Sequence, residues 1–205
     1  DNPCFAAGMV LLADGSRKAV DCVVAGEVVA TPTGGAATIK CVVVTRCAGG
    51  AAHLVTLEDG VAVTMYHPVR RLSGSNPCSR WRFPCALARP ALTRCDTVYS
   101  FVLEPATAGA MVIGDYACVT LGHGLTEEGA AHPYLGTPLV LSDLAAMEGW
   151  ADGKVLLSPG PAVRDPTSGL IMRLEQKERL RGVRTRLHSS VVPAHALGGV
   201  GVAGA

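Results

Sequence analysis

Between residues 4 and 119, apolar and polar positions vary over short stretches with no sustained helical period. Runs rich in Val, Ile, Thr and Tyr fall at 8–12, 19–24, 27–31, 37–46, 53–57, 61–65, 69–72, 97–103, 110–113 and 116–119. Most are bounded by Gly, Asp or Pro, the residues that end strands and build turns. Asp14-Gly15 and Asp59-Gly60 are hairpin-type dipeptides between such runs. Ten short strands of this kind predict an all-β core. The stretch 74–94 breaks the pattern: it carries Pro77, Pro84, Pro90, Trp81 and the arginines Arg80, Arg82, Arg89 and Arg94, and it predicts a loop or insert. Beyond Leu121 the character changes again. Leu139, Leu141, Leu144 and Met147 predict a short amphipathic helix over 137–147. Residues 170–186 fit a strand or a charged helix equally. The uncharged end, 188–205, with Gly198-Gly199, predicts a flexible tail. The expected division is the end of an upstream segment at 1–3, a β core at 4–124, an extension packed on it at 125–187, and the tail.

Composition narrows the function classes. A chain of 205 residues, 49 % apolar, can bury one sizeable core plus an appendage. A net charge of +1 gives no electrostatic hold on nucleic acid or an acidic membrane, so no nucleic-acid partner is expected. No apolar run reaches the roughly 18–20 residues that span a bilayer. The eight cysteines are irregularly spaced and none forms a Cys-x-x-Cys pair, which argues against a structural zinc site. No metal or cofactor is expected, and the chain is expected to be a monomer. Cys22 and Cys41 sit in Val-rich runs and read as small buried hydrophobes. The cellular compartment is left open.

The chemistry starts at Cys4. Asp1-Asn2-Pro3 before it reads as the cut end of a longer chain, and Thr64-Met65-Tyr66-His67-Pro68 stands about sixty residues after it. A Cys that attacks the carbonyl of the residue before it converts an amide to a thioester. That step is uphill and slow without strain, an oxyanion site and an acid for the leaving amine. An imidazole titrates near neutrality, so His67 is the natural proton donor. Thr64, three residues earlier, is placed to orient the scissile amide or the imidazole, and Pro68 stiffens the exit of the strand. No asparagine follows Cys118, and Gln176 is the only glutamine. Cyclisation of a side-chain amide is therefore unavailable at the C-terminal end, and protein splicing is excluded.

Taken in order, several blocks resemble one known family. Cys4-Phe5, the turn and strand at 12–20, Gly26-Glu27-Val28-Val29, Thr64 to Pro68, Val98-Tyr99-Ser100-Phe101-Val102-Leu103 and Gly114-Asp115-Tyr116-Ala117-Cys118 are similar to the blocks of Hint domains, shared by hedgehog autoprocessing domains and inteins. The resemblance covers residues 4–123. The segments 120–124 and 132–137 resemble extended Hint domains attached to von Willebrand factor A modules. The resemblance implies a horseshoe-like β fold with pseudo-two-fold symmetry. It implies that Cys4 is the nucleophile and that Thr64 and His67 activate the Pro3–Cys4 bond. It also implies that Cys118 lies close to Cys4, in reach of a disulfide after cleavage.

The chain departs from the family at two further points. Hedgehog domains place an Asp after the fourth strand run to activate a sterol hydroxyl; here Val42-Val43-Val44-Thr45-Arg46-Cys47 holds no carboxylate, and Arg46 or Cys47 takes its place. Sterol transfer by the usual base is therefore not expected. Cys47 reads as a second nucleophile or proton shuttle, or, better supported, as a buried structural thiol. Pro3 supplies the attacked carbonyl, and its stiffness either slows the shift or adds strain.

The expected activity is cleavage in cis, with the upstream module as partner and the thioester resolved by water, a thiol or another nucleophile, a small molecule or a lipid acceptor. The alternative is a catalytically idle Hint-like structural or interaction module. His53, His123, His132, Asp165 and the arginines around Trp81 are weaker candidates, better read as packing, turn or solvated residues. The apolar residues of the extension, Leu139 to Trp150, are expected to pack on the core rather than to face an acceptor or a membrane.

Overall fold

The computed structural model describes residues 3–72 and 80–176. Cys78, the expected tail and the part of 170–186 beyond Gln176 lie outside the described residues. In chain order the elements are β1 (Phe5–Ala7), β2 (Met9–Leu11), β3 (Arg17–Ala19), β4 (Val28–Ala30), β5 (Ala36–Arg46), β6 (Ala51–Thr56), β7 (Ala62–Thr64), β8 (Val69–Arg71), β9 (Ala91–Arg94), β10 (Thr97–Glu104), β11 (Ala110–Ile113), β12 (Tyr116–Val119), α1 (Pro138–Ala145), β13 (Lys154–Leu157), β14 (Ala162–Arg164) and β15 (Ile171–Leu174). The fold is all-β with one short helix near the C-terminal end, as the residue pattern predicts.

The strands form two main sheets. The larger runs β13-β5-β10-β1-β7-β6-β9, with β4 also paired to β5; the smaller runs β3-β2-β11-β12-β8; β14 and β15 pair separately. The spine of the larger sheet is the antiparallel pair β5–β10, running from Thr97 opposite Arg46 to Glu104 opposite Thr38, with a bulge on β5 opposite the step from Val102 to Leu103. Strand β1 enters between β10 and β7, with Phe5 opposite both Tyr99 and Val63. Residue 4 therefore stands in the interior of the larger sheet.

Two apolar cores share the β5–β10 spine. Val42 and Val44 of β5 and Phe101 and Leu103 of β10 join Phe5, Val63, Met111 and Ile113 in the first. Cys41 and Val43 of β5 and Val102 of β10 face the other way, onto Leu121, Tyr134, Leu135, Val140, Leu144, Val155 and Ile171. Successive strand side chains point to opposite faces. A strand covered on both faces thus reads as an unbroken apolar run, which is what Cys41-Val42-Val43-Val44 is. The cover on the second face comes from the extension. Helix α1 begins at Thr137, whose Oγ1 accepts the Leu139 N–H, with Pro138 in the first turn. It buries Val140 and Leu144, one turn apart. Strand β13 then adds in parallel to β5, Val155 opposite Val43. Gly122 at the junction has φ +72°, and a Cβ there would sit 2.7 Å from Leu141 of α1, so the close approach needs glycine.

Two expectations change, and one open reading is decided. Residues 19–24 are not a strand: β3 ends at Ala19, and Val20–Cys22 is a 3-10 turn. Val20 and Val23 are buried while Asp21 and Cys22 are exposed, a three-residue repeat that suits such a turn. Residues 74–94 are not all loop: β9 pairs with β6, Leu92 opposite His53. It is a sheet edge with all four residues exposed, so it carries no apolar signature. Of the two readings of 170–186, the strand is found at Ile171–Leu174.

Candidate active site

Thr64 ends β7 directly across from the start of β1. Its N–H donates to the Cys4 carbonyl at 2.9 Å, and its Oγ1 accepts the Cys4 N–H, that of the Pro3–Cys4 amide, at 2.9 Å. The chain then turns: the His67 N–H donates to the Thr64 carbonyl at 3.3 Å, closing a four-residue turn. The three-residue spacing of Thr and His is thus the geometry of one turn. The His67 ring packs on Phe5, centroids 4.3 Å apart. Its Nε2 lies 3.0 Å from the Val119 carbonyl, at the end of β12. A carbonyl only accepts, so Nε2 carries the proton. Nδ1 is then an unprotonated nitrogen, fully buried and without a hydrogen-bond partner. Burial pushes the imidazole down to about 4, partly opposed by the Val119 and Pro3 carbonyls. His67 is a neutral ring at pH 7, with one nitrogen free of hydrogen bonds.

Ser100, in the middle of β10, was not singled out from the sequence as a site residue. Its Oγ donates to the Pro3 carbonyl at 2.7 Å and lies 3.1 Å from the Cys4 sulfur. The one hydroxyl proton is committed to Pro3, so the Cys4 S–H is the donor in the second contact. Cys4 is 1 % exposed. Burial pushes its thiol up to about 12, the Ser100 contact opposing. The resting sulfur is therefore a thiol, one hydroxyl away from the carbonyl it would attack. The sequence signal was present: Ser100 is the small polar residue inside Val98-Tyr99-Ser100-Phe101-Val102-Leu103. Strand alternation turns it to the face of β10 opposite that of Phe101.

Other expected residues fall elsewhere. Cys118 is a free, fully buried thiol whose sulfur approaches the Tyr116 carbonyl at 3.7 Å and packs in the first core. It does not share the neighbourhood of Cys4, whose apolar neighbours are Leu54 and Val98. On β12 it is Val119, turned to the opposite face, whose carbonyl reaches the site. Arg46 is exposed. The residues of 42–47 that line a small cavity with Pro3 and Ser100 are Val43 and Thr45, of which Thr45 is the polar one, and not Arg46 or Cys47. Cys47 packs, partly exposed, beside Cys4 and Cys95, and it makes no hydrogen bond to the reacting atoms. His53 is exposed on β6. Asp165 holds a turn through the N–H groups of Thr167 and Ser168. Trp81 is pinned by its Nε1–H to Glu127 at 2.6 Å, with the Arg70 guanidinium 4.8 Å above its ring.

A cavity of about 360 Å³ opens at Pro3, between core and extension. The core contributes His67, Ser100, Phe101, Val119 and Leu121; the extension contributes His132, Leu135, Arg164, Leu170 and Ile171. Among the described residues its lining includes no carboxylate. His123 and His132 line it as neutral rings. Burial pushes His123 down to about 4 and lowers His132 as well. Each accepts backbone N–H at Nδ1, His123 from Leu125 at 2.9 Å and His132 from Tyr134 and Leu135 at 3.1 and 3.0 Å. Each therefore keeps its proton on Nε2. Among the described residues no cluster of three His, Cys, Asp or Glu side chains is disposed to hold a metal ion. No helix among them is long and apolar enough to cross a membrane.

Comparison with known proteins gives one family. The model of the Vint family, described as a Hint-domain, matches residues 3–173, which takes in the β core, α1 and β13, and nearly all of the β14–β15 pair. No curated protein matches the chain significantly.

Proposed function

We propose that this chain, which belongs to the Hint-domain family, cleaves its own Pro3–Cys4 bond by an N-to-S acyl shift, after which water, a thiol or another nucleophile resolves the thioester without splicing. Hint domains are autoprocessing domains, and the observation that carries the specific step is the contact chain Cys4 S–H, Ser100 Oγ–H, Pro3 C=O.

In the first step the Cys4 sulfur attacks the Pro3 carbonyl carbon. The S–H proton passes to Ser100 Oγ while the Ser100 proton passes to the carbonyl oxygen. The product is a neutral tetrahedral adduct bearing S, OH and N. No free thiolate is needed, which suits a thiol held near 12. In the second step the adduct collapses: C=O re-forms, the C–N bond breaks, and the hydroxyl proton reaches the leaving nitrogen. His67 Nδ1 takes and returns that proton, while Nε2 stays on the Val119 carbonyl. Thr64 Oγ1 holds the scissile N–H throughout, which fixes the amide plane and favours the lone pair the nitrogen must develop.

The cavity at Pro3 is the route by which the resolving nucleophile reaches the thioester carbonyl. Its apolar walls suit an acceptor with an apolar body and a nucleophilic head. His123 and His132 have both ring nitrogens committed, so with no carboxylate among the described lining residues His67 Nδ1 is the nitrogen left to take the acceptor's proton.

The test is the intact mass of a fusion carrying residues upstream of Cys4, incubated with and without dithiothreitol, beside a Cys4→Ala fusion. Thiol-accelerated cleavage at Pro3–Cys4, absent in Cys4→Ala, is the expected result. Cleavage of Cys4→Ala at the same bond would refute the mechanism. A folded wild-type fusion that stays intact under both conditions would favour an idle module.

A further inference from the structure

Three thiols converge from three strands. Cys4 precedes β1, Cys47 follows β5, and Cys95 precedes β10; all three pack in one small cluster with Leu54 and Val98. The backbone holds the latter two together across the turn at Ala48–Gly50. The Cys47 N–H donates to the Asp96 carbonyl at 2.9 Å, the Cys95 N–H to the Gly50 carbonyl at 3.0 Å, and the Gly50 N–H to the Cys47 carbonyl at 3.3 Å. Both side chains pack against that cluster, and the Cys95 S–H donates to the Thr97 carbonyl at 2.9 Å. Both are partly exposed, so a small oxidant can reach them, whereas Cys4 is buried and engaged with Ser100.

We propose that Cys47 and Cys95 are an oxidisable pair that closes to a disulfide in preference to Cys4, and so keeps the nucleophile a free thiol. Its protective value rests on Cys4 being the nucleophile; the pairing itself does not. The oxidant is a small disulfide such as oxidised glutathione. One protein thiol, as thiolate, attacks it and expels one small thiol; the second attacks the mixed disulfide and expels the other. Two electrons pass to the small disulfide, and the two protons lost by the protein thiols end on the two small thiols. Closure is favoured by the backbone hydrogen bonds that hold the two strand ends side by side and by their shared packing on one cluster. With one partner removed, the remaining thiol has Cys4 as its neighbour in the cluster, and oxidation is diverted to the nucleophile.

The experiment treats the chain, its Cys47→Ser form and its Cys95→Ser form with oxidised glutathione, traps remaining thiols with iodoacetamide under denaturing conditions, and maps the peptides by mass spectrometry. The expected map is a 47–95 disulfide with Cys4 alkylated in the wild type. In Cys95→Ser the expected result is at least a tenfold faster loss of free Cys4, largely as a 4–47 disulfide. Oxidation of Cys4 at the same rate in all three forms would overturn the proposal, as would separate glutathionylation of Cys47 and Cys95 without linkage. The map does not depend on cleavage. A reduced fusion that fails to cleave would count against the autoprocessing reading alone, and the map would still decide the pairing.

Discussion

Ser100 has one hydroxyl proton and gives it to the Pro3 carbonyl while its oxygen lies against the Cys4 thiol; in the proposed mechanism it is the donor to the attacked carbonyl oxygen. Removing one preorganised donor of this kind slows acyl transfer by about 10²–10³. Ser100→Ala should therefore slow hydroxylamine-triggered cleavage of the fusion by about that factor while leaving its urea midpoint close to wild type. His67 carries a second prediction. Its folded pKa is about 4 against an ordinary value of 6.5, so the unfolded chain binds the proton first. Stability from this residue is complete above pH 6.5 and is lost as pH falls toward 4, by on the order of 3 kcal/mol. His123 adds a loss of the same sign. Urea melts between pH 7.5 and 4.5 should show this decline, reduced in His67→Gln. At this scale Cys4, Thr64 and His67 were legible because their chemistry is uncommon and their order fixed. Ser100 and Thr45 were not, because a serine or threonine in a strand looks the same whether it faces a reacting carbonyl or a core.

Among the elements, strands with long apolar runs were visible in the sequence, and short or edge strands whose environment is set by a neighbour were not. β5 and β10 carry long apolar runs; β1 has only three residues, β9 is an exposed edge, and β13 alternates over four residues, with Val155 and Leu157 inward. Helix α1 was legible from its spacing, and its packing on β15 and the spine makes it a support for the wall of the cavity. Leu144 is fully buried there. Leu144→Ala should cost about 2–5 kcal/mol, the range for a buried leucine that leaves a cavity, measured by urea unfolding. A cost under 1 kcal/mol would mean that α1 does not close the second core.

Across the whole molecule, the extension completes the β core: Cys41, Val43, Val102 and Leu121 lose their cover without it. The cavity at Pro3 also loses His132, Leu135, Arg164 and Ile171. A chain ending at His123 is therefore expected to lose its cooperative urea transition and most of its soluble yield. A soluble, cooperatively unfolding 3–123 fragment would show that the first core stands alone. The sequence by itself determined the β class and the short helix, and it marked Cys4, Thr64 and His67 as the candidate group, because these follow from residue identity and short-range pattern. Only the tertiary structure decided that Ser100 and Thr45 face Pro3, that Cys118 turns into the core, that Cys47 and Cys95 share one cluster with Cys4, and that the extension walls the cavity. Each of these depends on strand register, where a shift of one residue sends every side chain to the other face.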